Sequence, residues 1–312
     1  MKNTIEKALQ KQQEAKEAAD NTLPPQDTIE KAQAASENVE STVTTQTAEA
    51  PSEPIVDDVS VASAKESKSF KIDIQRLQDN GFVTLENSRS LINEEYREIK
   101  RKLLQNAFGP LAGTIDNSNI IMVSSARPSE GKTFTATNLA MSIAAEQDKT
   151  VLLVDADVLK PNVLRTLDIA EADGLMEYLL GEVDELSDVI YHTNIPKLRI
   201  IPAGKSHHLS TELLASTIMQ ETVSEFSTRY SDRVVIIDSP PLIGINESAV
   251  LANLAGQAVI VVEEGRSKMN DISAAVARLN PDMAIGFVVN KSTQNSEKGG
   301  YYGYQYYGSD RE

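Results

Sequence analysis

The chain has 312 residues, is 40% hydrophobic and carries a formal charge of −16. That apolar content suffices for one substantial core, while the acidic balance argues against nonspecific affinity for nucleic acid or anionic lipid, both of which attract basic surfaces. With no cysteine and only three scattered histidines (His192, His207 and His208), disulfides are excluded and a zinc cluster lacks ligands, which leaves hard cations held by oxygen.

Residues 1–68 are rich in Ala, Glu, Gln, Ser and Thr and almost free of aromatics. They cannot bury enough apolar area to offset the entropy of ordering, so a disordered acidic N-terminal region is expected there. The word TIEKA occurs twice in it, at Thr4–Ala8 and Thr28–Ala32. Each copy is able to start a short helix, and both chance recurrence and a weak docking element account for the repeat. No stretch of about 18 apolar residues occurs, and the opening residues lack the short apolar core of a secretory signal, so a cytoplasmic protein is expected.

From Phe70 the texture changes, and a folded domain is expected over residues 69–293. The stretch SRSLINEEYREIKRKLLQNAF sets Leu91, Ile92, Tyr96, Ile99, Leu103 and Leu104 at roughly helical spacing, which predicts a helix flanking the core. After Asn119, short apolar runs (IIMVSS, VLLVDAD, LRIIPAG, VVIIDSPP, AVIVVEEG and IGFVVNKS) alternate with helix-like stretches. Continuous apolar strands separated by helices predict an α/β fold, a mainly parallel sheet with helices on both faces.

The first of these strands leads into ARPSEGKT, Ala126 through Thr133, which fits G-x-x-x-x-G-K-[ST] with alanine in the first glycine position. Gly131 lets the backbone approach a phosphate, Lys132 reaches terminal phosphates, and the Thr133 hydroxyl suits magnesium at a helix N-terminus that favours anions. Ala126, Arg127, Pro128, Ser129, Glu130, Gly131, Lys132, Thr133 and Phe134 are therefore the candidate nucleotide-binding residues. Phe134, Leu139 and Ile143 supply the buried face of the following helix.

A second strand delivers Asp155 and Asp157 to its carboxyl end, the edge at which doubly wound sheets bind ligands. Aspartates at a strand end also cap the next helix, and that alternative stays open. A further strand ends at Asp238, well placed to hold magnesium through water. In VVNKST, Thr293 stands where guanine-specific proteins carry an aspartate, and threonine offers no bidentate acceptor. ATP is favoured, with Asn290 a candidate for the base.

The three motifs have the order and style of the deviant Walker ATPases. EEYREIKRKLL, PSEGKT, DADVLKP, DSPPL and the tyrosine-rich end most resemble the bacterial tyrosine autokinases of polysaccharide systems, in particular the subgroup linked to exosortase-type loci. The resemblance implies an ATP- and Mg2+-dependent protein-tyrosine kinase that phosphorylates its own C-terminal tyrosines. It also implies service to exopolysaccharide or capsule polymerisation and export, self-association as a ring or other homo-oligomer, and a membrane chain-length regulator that recruits the chain to the inner face of the membrane. By position, Lys132 and Thr133 take the Walker A roles, Asp155 and Asp157 those of the following acidic motif, and Asp238 that of Walker B. Asp155 is then the candidate base, with Thr133, Asp157 and Asp238 toward the metal. The oligomerisation motif E-x-x-R-x-x-R falls on Glu94, Arg97 and Lys100, where lysine keeps the charge but loses a planar fork. Leu159 and Lys160 stand where the family has an arginine, Ser129 replaces a loop glycine, and Arg127 replaces the signature lysine of partition ATPases.

Residues 294–312 hold five of the nine tyrosines, Tyr301, Tyr302, Tyr304, Tyr306 and Tyr307, between glycines. Alone, such a cluster suits an adhesive tail, a low-complexity end or stacking on RNA. Beside a kinase core it is expected to be a flexible autophosphorylation tail, since about ten extended residues span roughly 30 Å. The rival is a partition- or septum-site-type positioning ATPase without kinase activity, which accounts for the core but not for the tail. A third reading is an ATP-loaded scaffold with little turnover.

Overall fold

The computed structural model describes residues 68–85 and 90–292. The expectations for the N-terminal region, including both TIEKA words, and for the tyrosine tail lie outside the described residues. In chain order the elements are β1 (Ser69–Phe70), α1 (Ile74–Asp79), α2 (Leu91–Phe108), β2 (Ile120–Ser125), α3 (Lys132–Ala144), β3 (Thr150–Asp155), α4 (Val163–Thr166), α5 (Leu175–Leu179), β4 (Tyr191–Thr193) and β5 (Leu198–Ile201). There follow α6 (Ser210–Leu214), α7 (Thr217–Thr228), β6 (Arg233–Asp238), α8 (Asn246–Ala252), β7 (Gln257–Glu263), α9 (Met269–Val276) and β8 (Ala284–Asn290).

The strands form one sheet in the order β1-β4-β5-β3-β6-β2-β7-β8, parallel at every pairing except β4 with β5. The six apolar runs are all strands of its parallel part. Side chains alternate across the sheet, so each run feeds two cores. Met122, Leu152 and Val235 pack on one face with Leu175 and Phe226. Val123, Leu153 and Ile236 pack on the other with Leu139, Ile143 and Leu103. Covered on both sides, the inner strands have no solvent face to encode, which is why they read as unbroken apolar runs, whereas β8 at the sheet edge leaves Phe287 and Val289 exposed.

The helix α3 is buried nearly all round: Ala136, Ala140 and Thr137 are as inaccessible as Leu139 and Ile143. Its outer side is covered by α2, so small residues stand where an amphipathic surface helix would be polar. Three polar links hold this packing. The Asn138 side-chain oxygen accepts the Val83 N–H at 2.6 Å. Lys100 donates to the Ser142 carbonyl at 2.8 Å and pairs with Glu146 at 2.6 Å. Gln257 donates to the Leu103 carbonyl at 3.1 Å. Of the three residues expected at a subunit contact, Glu94 and Arg97 are on the surface and pair with each other at 2.6 Å. Lys100 is instead buried against the chain's own α3, because the end of that helix offers it a carbonyl and a carboxylate. Leu91, expected on the buried face of α2, is exposed at its first turn.

Candidate active site

The strand register builds the site before any side chain is considered. Asp155 and Asp238 are the last residues of β3 and β6 and lie opposite one another in register, with Val123 of β2 beside Asp238. Neighbouring strands are about 4.8 Å apart, so the topology alone brings two carboxylates together at the carboxyl edge. The loop between β2 and α3 delivers Lys132 and Thr133 to the same edge.

The loop is shaped by its own contacts. Gly131 has φ 102°, and a Cβ there would meet the Asn290 side-chain nitrogen at 1.9 Å. Ser129 sits at φ 69°, the conformation a loop glycine would adopt without strain. The buried Glu130 carboxylate accepts the Arg127 N–H at 2.8 Å and the Ser267 hydroxyl, so it holds the loop from inside. Asn290 donates to the Glu130 carbonyl at 3.0 Å, and Lys291 donates to the Ser129 carbonyl at 2.7 Å. Arg127 reaches outward to pair with Asp271 of α9 at 2.7 Å. Phe134 is tilted against Phe82, 4.7 Å between ring centroids. Ser267 and Asp271 carry no motif, and Lys291, though inside VVNKST, carries no expected role; none of the three is among the candidate site residues of the sequence. Only their distance in the chain hid them, since each acts from the β7–α9 region or the end of β8.

Four charged groups and one hydroxyl converge below the loop. Lys132 Nζ lies 2.6 Å from an Asp157 oxygen. The Thr133 hydroxyl donates to one Asp238 oxygen at 2.6 Å. The other Asp238 oxygen is buried with no partner among the described residues. Asp155 accepts three backbone N–H groups: Asp157 at 3.2 Å on one oxygen, and Asn162 at 3.1 Å and Val163 at 2.9 Å on the other. Asp155 therefore also fastens the turn that leads into α4, as a strand-end aspartate that caps a helix does.

Burial, reinforced by Asp155, pushes the Asp238 carboxyl up to about 8. Burial also lifts Asp155 to about 6, against the pull of the Val163 and Asn162 N–H groups. For Lys132 burial acts downward, but Asp238, Asp157 and Asp155 outweigh it and hold the ammonium above its ordinary value. Three carboxyl groups share one lysine in a closed place, which drives Asp238 toward its protonated form, and a buried Asp238 oxygen lacks a partner among the described residues. These residues fit a hard cation bound with phosphates, because a cation supplies what Asp238 lacks and phosphates give Lys132 a second anionic partner.

Residues 118–280 match the family model described as an AAA domain. The tyrosine-protein kinase YwqD of Bacillus subtilis (strain 168) is 31% identical over 232 residues, 73% of this chain and 93% of its own. The tyrosine-protein kinase ptk of Acinetobacter johnsonii is 30% identical over 181 residues, 57% of this chain, which spans 24% of that longer protein. The solved kinase domain of the Escherichia coli tyrosine kinase ETK superposes with a TM-score of 0.56 at 26% identity, over 75% of this chain and 93% of that one. By this likeness, on top of the parallel sheet and its phosphate-binding loop, the chain belongs to the bacterial protein-tyrosine kinase family, enzymes built on the P-loop ATPase fold.

Proposed function

We propose that the chain is an autokinase that uses ATP and Mg2+ to phosphorylate its own C-terminal cluster, Tyr301, Tyr302, Tyr304, Tyr306 and Tyr307. The single observation that carries this reading is the buried Asp238 oxygen left without a donor beside Thr133 and Lys132. When bound, ATP with Mg2+ supplies the transferable phosphoryl group and neutralises the charge that develops in its transfer. Ala126 through Thr133 would hold the phosphates through the loop backbone, and Thr133, Asp157 and Asp238 would hold the metal. Lys132, held protonated by the neighbouring aspartates, would offer its ammonium to phosphate oxygens. Asp155 accepts the tyrosine proton: its raised pKa brings it nearer the operating range, and its three N–H donors fix its orientation. Asn290 serves the adenine side of the site from the end of β8.

The tail reading rests on chemistry. Each phosphotyrosine adds about −1.5 to −2, so five add roughly −8 to −10 within a few residues. An acidic, phosphate-filled site rejects such a product, and modified tails loosen an assembly that unmodified tails hold together. Among the described residues no helix is long and apolar enough to cross a membrane. We assign membrane recruitment to a separate chain-length regulator and the process served to exopolysaccharide or capsule polymerisation and export.

The test is to incubate intact protein with γ-labelled ATP and Mg2+ and map the label. Label on C-terminal tyrosines is expected, absent in Lys132→Met and after removal of residues 299–312. Released phosphate with no labelled tyrosine makes the chain a positioning ATPase instead, and neither signal makes it a scaffold.

A further inference from the structure

A second charged cleft opens at the opposite edge of the sheet from the loop. It has a volume of about 490 Å³ and lies where β5 and β6 begin, whereas Asp155 and Asp238 stand where β3 and β6 end. In a chain of net charge −16, its walls carry Lys68, Arg199, Arg229 and Arg233, with His192 and the ring of Tyr230. The carboxylates among its lining residues are Asp188 and Glu225, and Glu225 is engaged by Arg229. Asp232 stands on the rim of the adjoining cleft.

Arg199 and Arg233 are the unusual pair. Arg233 is 5% exposed, and its guanidinium lies 3.9 Å from the Tyr230 ring centroid. Among the described residues neither arginine is in an ion pair. Both arginines line this one cleft, and burial first, then the like charge of Arg199, lowers the Arg233 pKa against the pull of Tyr230 and Asp232. A buried guanidinium beside a second, half-buried one is costly unless an anion completes them, and a planar guanidinium fork suits phosphate oxygens. The aromatic wall adds a surface for a ring: Tyr230 is partly exposed and Phe226 closes the floor.

We propose that this cleft binds a phosphate monoester, Arg199 and Arg233 gripping the dianion while Tyr230 packs against the group that carries it. A phosphotyrosine of the tail of a second copy has both parts, and that source, unlike the site itself, rests on the autokinase reading. The tail would then leave one acidic edge as substrate and settle on the basic edge of a neighbour as product.

A fluorescent peptide of residues 299–312, synthesised with phosphate on Tyr304, tests this by anisotropy against the intact chain with ADP and Mg2+ filling the loop. Expected is binding that weakens with salt, is displaced by inorganic phosphate and by phenyl phosphate, and is absent for the unphosphorylated peptide. Losing one charge-assisted fork in Arg199→Gln is expected to weaken it about tenfold or more. Lys68→Gln, at an exposed position, gives a smaller loss in the same direction and serves if the first variant does not fold. Equal binding of the two peptides, or binding unchanged in both variants, overturns the proposal. So does equal displacement by a peptide of residues 53–67, which would make the occupant the chain's own carboxylates. Binding of phenyl phosphate but not of phosphopeptide at Arg199 keeps the phosphate site and removes the tail as its source. Because the peptide is synthetic, none of these results depends on whether the chain labels itself.

Discussion

Replacing Asp238 by asparagine should stabilise the metal-free protein, although most changes at a fully buried polar position destabilise. The carboxyl is pushed up to about 8 from an ordinary 3.8 by burial and by Asp155. A pKa raised on folding gives stability that is complete below the unfolded value and is lost as pH climbs through the folded one. At about 1.4 kcal/mol per pH step, folding around Asp238 costs about 4 kcal/mol by pH 7 relative to acid. Asparagine carries no charge and keeps a side-chain oxygen for the Thr133 hydroxyl, so it escapes that cost. Local relaxation and water entry reduce the figure, and a gain of about 1–4 kcal/mol is expected at pH 7–8. The assay is urea unfolding of both proteins in chelator at pH 5 and pH 8, repeated with ADP and Mg2+. Wild type should lose stability between the two pH values more steeply than the variant, and ligand should rescue wild type more. A variant no more stable than wild type at pH 8, with the same pH dependence, would refute the argument that a buried ionisable oxygen waits there for a cation.

Ser129→Gly should stabilise by about 0.5–1 kcal/mol, because glycine meets φ 69° without the Cβ penalty; thermal melting of the apo protein reads it. Gly131→Ala should abolish nucleotide-dependent stabilisation, since its Cβ would meet the Asn290 amide and its φ of 102° resists a side chain; a melting shift with ADP and Mg2+ shows it. Asn138→Ala orphans the Val83 N–H inside the core and should cost about 1–3 kcal/mol by urea unfolding, with the midpoint moving at constant slope. Lys100→Met strips the α3 carboxyl end of its cation and should cost about 1–3 kcal/mol in stability, while oligomeric mass by light scattering responds more to Arg97→Ala than to this change.

How far the residues spoke for themselves depended on how local the signal was. Ile120–Ser125 followed by Gly131, Lys132 and Thr133 announces a strand, a phosphate loop and a helix start, because each residue type there answers a neighbour a few positions away. The short β1 and β4 gave no such sign: two and three residues cannot show a period, and β4 turns antiparallel only because β5 offers it an edge. Lys100 stands in the sequence as a position of the oligomerisation motif, and nothing local tells that Ser142 and Glu146 lie beneath it.

The sequence by itself determined the family, the parallel α/β architecture and the lysine-bearing phosphate loop, because these are written in contiguous words: apolar runs and the Gly131-Lys132-Thr133 signature. Only the tertiary structure decided that Asp155 lies in register with Asp238, that Glu130, Ser267, Asn290 and Lys291 brace the loop, and that Arg199 and Arg233 share one cleft. Those facts depend on which strands lie side by side, and strand order is settled by burial of whole faces rather than by any residue's near neighbours.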